Sequence, residues 1–201
     1  MRRISIDALN GSPDEVFRLA ELLGSGGVAA LPTDTHYALA ADPLRADGVA
    51  RVFAAKGRDD GKPLPVLFGL RPQLDRLGVQ ERAEKLDRYF EIWPAPLTAV
   101  FRIREPIPAS RGHRTVAVRL PAESRVRRLL EAVGPLTGTS ANRSGGVALD
   151  DPDAVEALFG ESLDVLVDGG RSPGGEPSTI VDATTDPPTL LRAGAFPWPI
   201  R

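Results

Sequence analysis

Hydrophobic residues recur along this chain with two spacings, one typical of amphipathic helices and one typical of buried strands. After Ser12, a suitable helix N-cap with Glu15 completing a capping box, apolar residues return every three or four positions until Gly24. This spacing predicts a first helix. The short, uniformly apolar run 27–31 predicts a buried strand that ends at Pro32.

The rest of the chain continues to mix helical and strand-like segments. Further helices are predicted at about residues 47–55, 80–90 and 122–133 and after Asp151. Further strands are predicted at residues 63–68, 97–103, 115–120, 163–167, 178–182 and 189–192. Because the two kinds of element do not alternate strictly, the pattern predicts an α/β fold with a mixed, twisted sheet. No repeat or long linker divides the 201 residues, so we expect a single domain over residues 1–201.

Composition narrows the chemistry available to this chain. Of its 201 residues, 42% are hydrophobic and 26% charged, as in ordinary globular proteins. The absence of cysteine excludes a disulfide scaffold, an iron–sulfur cluster, a thiolate zinc site and a cysteine nucleophile. With only two histidines, a histidine metal site or a Ser-His-Asp triad is poorly supported. No apolar run approaches the roughly 20 residues of a membrane span, and no signal-peptide core follows Met1, so a cytoplasmic protein is expected.

Charge is unevenly distributed although the net charge is only −2. Residues 102–128 contain eight arginines and two glutamates, whereas residues 150–186 contain ten acidic residues and one arginine. The small net charge argues against a generally polycationic nucleic-acid binder, but the basic block indicates local recognition of an anion. For Arg125, Arg127 and Arg128 a solvated helix face is the favoured alternative.

A basic, glycine-containing loop is predicted at residues 56–64, between a helix and a strand. Lys56, Arg58 and Lys62 place three cations within seven positions. Arginine offers a planar fork, lysine a compact charge, and glycine lets the backbone approach, which together suit a polyanion. The nucleotide-binding P-loop motif is absent. A solvated basic loop is the alternative.

A second polar loop, residues 137–146, directly follows a short apolar strand. Ligands of α/β folds bind at the carboxyl ends of strands, and the hydroxyls, amide and free N–H groups here can hold phosphate or ribose. An ordinary surface turn rich in serine, asparagine and glycine is nearly as good an interpretation.

Arg119 lies on an otherwise apolar predicted strand. Strand alternation places Thr115, Ala117 and Arg119 on one face. A charge in such a setting needs a partner, either a protein carboxylate or a bound anion. Nearby candidates for ligand contact are residues 32–37, which carry two hydroxyls and a carboxylate, and the glycine-rich segment 169–179, which could be a flap or a plain connecting loop.

Seven short motifs, in a fixed order, make the chain similar to a known family. They are Pro-Thr-Asp-Thr-x-Tyr (32–37), Lys-Gly-Arg with Lys-Pro-Leu (56–64), Trp-Pro-x-Pro-Leu-Thr (93–98), Val-Ala-Val-Arg (116–119), Ser-Ala-Asn-x-Ser-Gly (140–145), Ser-Thr-Ile-Val-Asp (178–182) and Leu-Leu-Arg-x-Gly (190–194). On these motifs the chain resembles the YrdC-like family of threonylcarbamoyl-AMP synthases, in its shorter TsaC type, over about residues 12–195.

The resemblance implies an open, twisted mixed α/β sheet with flanking helices around a basic cavity, of the YrdC/RibB-like kind. It also implies a nucleotidyltransferase that joins L-threonine, bicarbonate or CO2 and ATP into threonylcarbamoyl-AMP and pyrophosphate. The product would pass to a tRNA threonylcarbamoyl transferase complex that makes N6-threonylcarbamoyladenosine at position 37 of tRNA. Weak binding of tRNA is possible and a membrane is not involved. Mg2+ is expected to arrive with ATP, without metal ligands from the protein.

Motif by motif, the resemblance also implies roles for individual residues. The catalytic set would be Lys56, Arg58, Ser140 and Asn142. The ATP contacts would be Arg58, Lys62, Thr115, Asn142 and Arg192, and the threonine contacts Thr35, Arg119, Ser140 and Ser178. His36, Leu67 and Asp150 depart from the family pattern, so no role is carried over to them.

Two alternatives use the same features differently. One is a carbamoyl-adenylate-forming enzyme, like the YrdC-like domain of much longer hydrogenase-maturation carbamoyltransferases. The other is an RNA-binding YrdC-like paralogue without synthase activity, in which the cavity and the arginines of 102–128 contact the phosphate backbone. An aromatic content of 5% argues against recognition by base stacking.

Overall fold

A computed structural model describes residues 1–57 and 62–198 of the protein. The α-helices in these ranges are α1 (Ile6–Asn10), α2 (Pro13–Gly24), α3 (Ala46–Lys56), α4 (Gln73–Arg76), α5 (Ala83–Phe90), α6 (Ser124–Val133) and α7 (Pro152–Phe159), with a 3-10 turn at Pro108–Ser110. The strands are β1 (Arg2–Ser5), β2 (Ala29–Pro32), β3 (Tyr37–Ala40), β4 (Val66–Leu67), β5 (Leu97–Arg102), β6 (Thr115–Arg119), β7 (Leu136–Thr137), β8 (Thr139–Ser140), β9 (Val165–Asp168), β10 (Thr179–Asp182) and β11 (Thr189–Arg192). No helix within the described ranges has the length and apolar character to cross a bilayer.

The strands form two mixed sheets, where the sequence predicts a single one. The first sheet has the order β1-β9-β2-β3-β8, and the second has the order β11-β10-β5-β6-β4-β7. In the first, β1 and β2 run parallel to β9, while β2–β3 and β3–β8 are antiparallel. In the second, β10 is parallel to β5 and β4 to β6, and the other pairs are antiparallel. The predicted mixed α/β class is confirmed, but the single sheet is wrong.

The two sheets meet where the chain leaves β7 and enters β8. Gly138 lies between these strands, and a Cβ there would lie 2.4 Å from Cγ of Leu67, so a larger residue would displace that side chain. Its neighbour Thr137 accepts a hydrogen bond from the N–H of Ala41 at 2.9 Å. The predicted loop 137–146 therefore begins as two short strands that join the sheets.

Two apolar clusters stabilise the fold on the faces of these sheets. One contains edge-to-face aromatic pairs, with ring centroids 5.3 Å apart for Phe68 and Trp93 and 5.1 Å apart for Tyr89 and Phe101. Each such pair contributes about 0.5–1.5 kcal/mol beyond its area burial. The other cluster packs α1, α2 and α6 against the first sheet. The two clusters thus pack the sheets whose strands form the wall of the cavity described below.

Several predicted boundaries differ from the structure for local reasons. The helix expected from residue 80 begins at Ala83, because Gln80 instead donates its backbone N–H to the carbonyl of Arg102 at 2.8 Å. The strand expected at 63–68 is reduced to β4, since Pro63 and Pro65 have no N–H to offer a ladder.

The first predicted helix is confirmed, but its capping box is only half formed. The Ser12 hydroxyl accepts from the Glu15 N–H at 3.4 Å. The Glu15 carboxylate, however, pairs with Arg2 at 2.7 Å and Arg18 at 3.0 Å, while the Ser12 N–H donates to the carbonyl of Leu9. Long-range ion pairing therefore replaces the local reciprocal bond.

Some elements were not predicted at all, namely β1, β3, β8, α1 and α4. All are short, at two to five residues in the described chain. Short segments contain too few positions for a periodic pattern to distinguish them from loops.

Candidate active site

A cavity of about 350 Å³ opens where the two sheets meet. Its wall is built from the β2–β3 loop, the end of α3, β4, β5 and β6, the β7–β8 junction, and the segments around Ser178 and Arg192. Eight of the ten residues implied by the family resemblance line it: Thr35, Lys56, Lys62, Arg119, Ser140, Asn142, Ser178 and Arg192. Residues that lie far apart along the chain are thus gathered around one hollow.

The other two implied residues are not placed in this wall. Arg58 lies outside the described residues. Thr115 lies opposite Arg102 in the β5–β6 ladder and is not among the lining residues. It shares a strand face with Arg119 but is four residues away, about 13 Å along the strand. Its contact with ATP stays a prediction.

Lys56 occupies the last turn of α3 with only 3% of its surface exposed. Its ammonium group donates to the carbonyl of Ser140 at 2.5 Å, and to the carbonyl and Oδ1 of Asn142 at 3.0 and 3.2 Å. The helix ends immediately afterwards because Gly57 adopts the left-handed conformation at φ 61°. The backbone thus turns away while the lysine side chain stays in the cavity wall.

Asn142 is held in one orientation by the groups around it. Its Oδ1 accepts a hydrogen bond from the Ser140 hydroxyl at 2.7 Å, on the same side as Lys56. Its Nδ2 donates to the carbonyls of Arg143 and Gly146 at 2.8 and 2.9 Å. Because all these partners belong to the 140–146 segment or to α3, the polar groups form one preorganised unit.

Arg119 projects from β6 with 7% of its side chain exposed. Its Nη2 lies 2.5 Å from Oδ1 of Asp34, whose side chain is 12% exposed. Its Nη1 donates to the hydroxyl of Thr35 at 3.5 Å. The charged partner that the sequence demands for this arginine is therefore a carboxylate, although the sequence analysis assigned Asp34 no role. The signal that could have found it is the acidic residue in the polar motif 32–37.

Arg192 connects the edge strand β11 with Ser178, which directly precedes the neighbouring strand β10. Its Nη2 donates to the carbonyl of Ser178 at 2.6 Å and to the Ser178 hydroxyl at 3.2 Å. That hydroxyl also shares a hydrogen bond with the hydroxyl of Thr98 at 2.9 Å. Partial burial lowers the pKa of Arg192, and the positive charge of Arg119 lowers it further.

The glycine-rich segment 169–179 lies against the β2–β3 loop in this structure. The Gly174 N–H donates to the carbonyl of Thr35 at 2.7 Å, and the Ser172 N–H to the carbonyl of Asp150 at 2.8 Å. Arg171 pairs with Asp150 at 2.9 Å and with Asp151. These contacts anchor the segment at the cavity wall.

Three departures from the family pattern fall in or near the site. His36 and Leu67 both line the cavity, whereas Asp150 is engaged with Arg171. Burial lowers the pKa of His36, with Asp150 opposing that effect.

The basic block 102–128 contributes Arg119 to the cavity wall and uses other arginines elsewhere. Arg125 pairs with Glu123 at 2.8 Å and Asp7 at 3.3 Å. Arg127 donates to the carbonyls of residues 121 and 122 at 3.0 and 2.9 Å. These two arginines are therefore not simply solvated: they hydrogen-bond to or pair with groups in and around α6.

Among the residues that the structure describes, the charged side chains that line the cavity are cationic: Lys56, Lys62, Arg119 and Arg192. Across residues 1–57 and 62–198, no three His, Asp or Glu side chains come together as a metal site. Hydroxyls, an amide and fixed cations therefore dominate the wall, an arrangement that suits anionic ligands such as phosphates and carboxylates.

Known proteins are similar to this chain in sequence and in architecture. A family model described as Telomere recombination, covering Sua5, YciO and YrdC proteins, matches residues 21–194. The threonylcarbamoyl-AMP synthase of Pyrococcus abyssi is 37% identical over 183 residues, which cover 89% of this chain and 53% of that protein. A putative threonylcarbamoyl-AMP synthase of Mycobacterium leprae is 37% identical over 176 residues, covering 86% of this chain and 79% of that protein.

Among solved structures, P. abyssi Sua5 complexed with L-threonine superposes with a TM-score of 0.84 at 32% identity. The match covers 98% of this chain and 57% of that one. The chain thus spans little more than half the length of the P. abyssi protein but most of the mycobacterial one.

Proposed function

The chain belongs to the Sua5/YciO/YrdC family, and we propose that it makes L-threonylcarbamoyl-AMP and pyrophosphate from L-threonine, bicarbonate or CO2, and ATP. The observation that carries this proposal is the buried ammonium of Lys56, held by Ser140 and Asn142 in a cavity that Arg119 also lines. Similarity to proteins named threonylcarbamoyl-AMP synthase supports it.

The proposed reaction needs no nucleophile from the protein. The neutral amine of threonine forms an N–C bond with CO2 and releases a proton to solvent, or with bicarbonate and releases water, to give a carbamate. A carbamate oxygen then forms a bond to the α-phosphorus of ATP while the bond to the β-phosphate oxygen breaks, and pyrophosphate leaves. The protein supplies alignment and stabilises the charge that builds on the phosphates. Scarce histidine and absent cysteine are compatible with such chemistry.

The cavity wall offers separate groups for the two substrates. For ATP, we assign Lys62, Asn142 and Arg192, together with the predicted contacts Arg58 and Thr115. Lys56 and Ser140 complete the catalytic set with Arg58 and Asn142. Fixed cations of this kind stabilise a departing pyrophosphate best when the protein has already oriented them.

For threonine, we assign Arg119 to the carboxylate and Thr35, Ser140 and Ser178 to the remaining polar groups. A guanidinium forms charge-assisted hydrogen bonds to a carboxylate, which give both affinity and orientation. The P. abyssi structure complexed with L-threonine supports this choice of amino acid.

Mg2+ belongs to the proposal as the companion of ATP. The lining side chains are mainly cations and neutral polar groups, so the triphosphate oxygens would hold the ion. When bound, it would neutralise phosphate charge. We further propose that the product passes to a tRNA threonylcarbamoyl transferase complex in the cytoplasm, with tRNA binding weakly to this chain if at all.

Pyrophosphate release tests the proposal directly. With ATP, Mg2+, bicarbonate and L-threonine, we expect release to depend on threonine and the adenylate to appear by mass spectrometry. Full release without threonine would overturn the proposal. Turnover that depends on carbamoyl phosphate would identify a carbamoyl-adenylate-forming enzyme instead. Steeply salt-dependent RNA affinity without turnover would identify a non-catalytic RNA-binding paralogue.

A further inference from the structure

Asp34 is a buried carboxylate that the proposed reaction does not use. It follows β2 in the tight turn to β3, and only 12% of its side chain is exposed. Unlike Thr33, Thr35 and His36 on either side, it is not among the residues that line the cavity. Any effect on a ligand must therefore pass through a neighbour.

That neighbour is Arg119. Within the described chain, both carboxylate oxygens of Asp34 and the Nε and Nη2 atoms of Arg119 are buried without a hydrogen-bond partner. The 2.5 Å approach of Nη2 to Oδ1 is thus an ion pair without the angle of a hydrogen bond. Buried charges are costly unless they are compensated, so each of these two groups depends on the other.

The position of Asp34 is set by its loop. The Thr33 hydroxyl donates to the carbonyl of His36 at 2.6 Å and accepts from the Thr35 N–H at 3.2 Å. The Thr33 N–H also donates to the His36 carbonyl at 3.2 Å. These bonds close the turn on itself and fix the backbone that carries Asp34.

The two terminal nitrogens of the Arg119 guanidinium face different groups. Nη2 faces Asp34, while Nη1 points towards Thr35, which lines the cavity. A flexible arginine beside three other cations would otherwise be free to turn towards the phosphates. We propose that Asp34 is a positioning residue that holds Arg119 on the amino-acid side of the cavity, ready for the substrate carboxylate.

This inference rests on the proposed function, because it takes the substrate carboxylate to be that of threonine. It makes a distinctive kinetic prediction. Loss of the Asp34 charge should weaken threonine binding while ATP binding stays as it is, because the hydrogen bonds of Asn142 and Arg192 in the described chain go to other residues. If Asp34 instead competed with the substrate for Arg119, its removal would tighten threonine binding.

The experiment compares Asp34→Asn, Asp34→Glu and wild type in pyrophosphate release, with KM measured separately for threonine and ATP. For Asp34→Asn we expect the threonine KM to rise about tenfold, in keeping with one lost charge-assisted orientation, and the ATP KM to stay within twofold. Asp34→Glu keeps the charge and should give an intermediate threonine KM. A threonine KM that is unchanged or lower in folded Asp34→Asn overturns the inference.

A matched control separates positioning from general loss of an ion pair. Asp164 pairs with Arg51 at 2.8 Å away from the cavity, so Asp164→Asn should lower stability without changing the threonine KM. In an Arg119→Gln background, adding Asp34→Asn should raise the threonine KM no further, because no guanidinium is left to orient. An additive rise there contradicts action through Arg119.

Two outcomes keep this inference distinguishable from the proposed function. Wild-type protein without threonine-dependent release overturns the proposed function, whatever the variants do. Threonine-dependent wild-type release with an unaltered Asp34→Asn threonine KM overturns only the role of Asp34. If Asp34→Asn does not fold, Asp34→Glu decides, and a threonine KM equal to that of wild type counts against the inference.

Discussion

The ammonium of Lys56 lies 2.5 Å from the carbonyl oxygen of Ser140, which fastens the end of α3 to the strand that joins the two sheets. The Ser144 N–H returns a hydrogen bond to the carbonyl of Lys56 at 2.9 Å. One residue thus both closes the polar loop and places a positive charge in the cavity wall. In the proposed reaction, this contact therefore serves both the stability of the loop and catalysis.

Replacing Lys56 should therefore affect catalysis far more than folding. We expect Lys56→Ala to lower kcat for pyrophosphate release by about 10²–10³, the loss typical of one preorganised electrostatic group. The carbonyl of Ser140 keeps a hydrogen bond from the Asn142 N–H at 3.0 Å, so the lost lysine bonds should cost about 1–3 kcal/mol of stability, which a domain of ordinary stability survives. Steady-state kinetics and urea denaturation measure the two effects.

The control for this variant is Lys85→Ala, since Lys85 pairs with Glu81 outside the cavity. It should keep wild-type kinetics. If Lys56→Ala keeps them as well, the assignment of the catalytic set is wrong.

Gly194 allows the chain after β11 to pass very close to the cavity wall. A Cβ at this position would lie 2.1 Å from the carbonyl oxygen of Pro177 and 2.7 Å from the carbonyl carbon of Ser178. Gly194→Ala should push Ser178 from its place beside Arg192, lower stability by about 1–3 kcal/mol and raise the threonine KM. Thermal denaturation and kinetics provide the readouts.

Gly24→Ala is the matched substitution in open space, because nothing lies within 4 Å of a Cβ at Gly24. It should leave the KM unchanged and the melting temperature equal or slightly higher, as alanine favours helices. If both alanine variants had the same melting temperature and threonine KM, residues 177–178 could move aside without affecting stability or threonine binding, which would contradict this prediction.

The hydroxyl of Thr137 links the two sheets, and its residue is fully buried. It accepts from the Ala41 N–H at 2.9 Å and contacts the carbonyl of Leu39 at 3.3 Å. Thr137→Val keeps the shape of the side chain but leaves the Ala41 N–H without its hydrogen-bond acceptor. This loss should lower the free energy of unfolding by about 1–3 kcal/mol. The exposed Thr189→Val is the control, and chemical denaturation of both variants measures the difference. A loss no larger than that of the control would mean that the hydroxyl does not join the sheets energetically.

Protonation of His36 should destabilise the protein in mildly acidic solution. Its pKa is lowered from 6.5 because burial disfavours the charged imidazolium. The unfolded chain then binds more protons than the folded one as pH falls below 6.5, so the stability present above that value is lost down to the folded pKa. Urea denaturation between pH 8 and pH 5 should show a shallower decline for His36→Gln than for wild type. An identical slope for both proteins would contradict this account.

Much of the secondary structure follows from the sequence because it depends on short-range patterns. The spacing of apolar residues places α2 within its observed bounds, and the strand at residues 189–192 is confirmed as β11. Elements of two to five residues, such as β8 and α4, carry no such pattern and were missed. Proline makes β4 shorter than predicted, and a long-range backbone hydrogen bond of Gln80 makes α5 begin later in the chain than predicted.

The candidate site was likewise predictable from the sequence only in part. Motifs mark which residue types are available, and eight of the implied residues do line one cavity. Asp34 is different, since its importance depends on lying beside Arg119, which is 85 positions later in the chain. A sequence pattern shows that Arg119 needs a partner but does not choose among the carboxylates available.

The sequence by itself determined the α/β class, the chemistry available to the site and the family resemblance, because composition, periodicity and motifs are properties of neighbouring residues. Only the tertiary structure decided that the strands form two sheets, that Lys56 meets Asn142 across 86 positions, and that Asp34 neutralises Arg119. These contacts join segments that no local preference connects, and they exist because packing both faces of two sheets leaves the chain few other ways to bury its apolar residues.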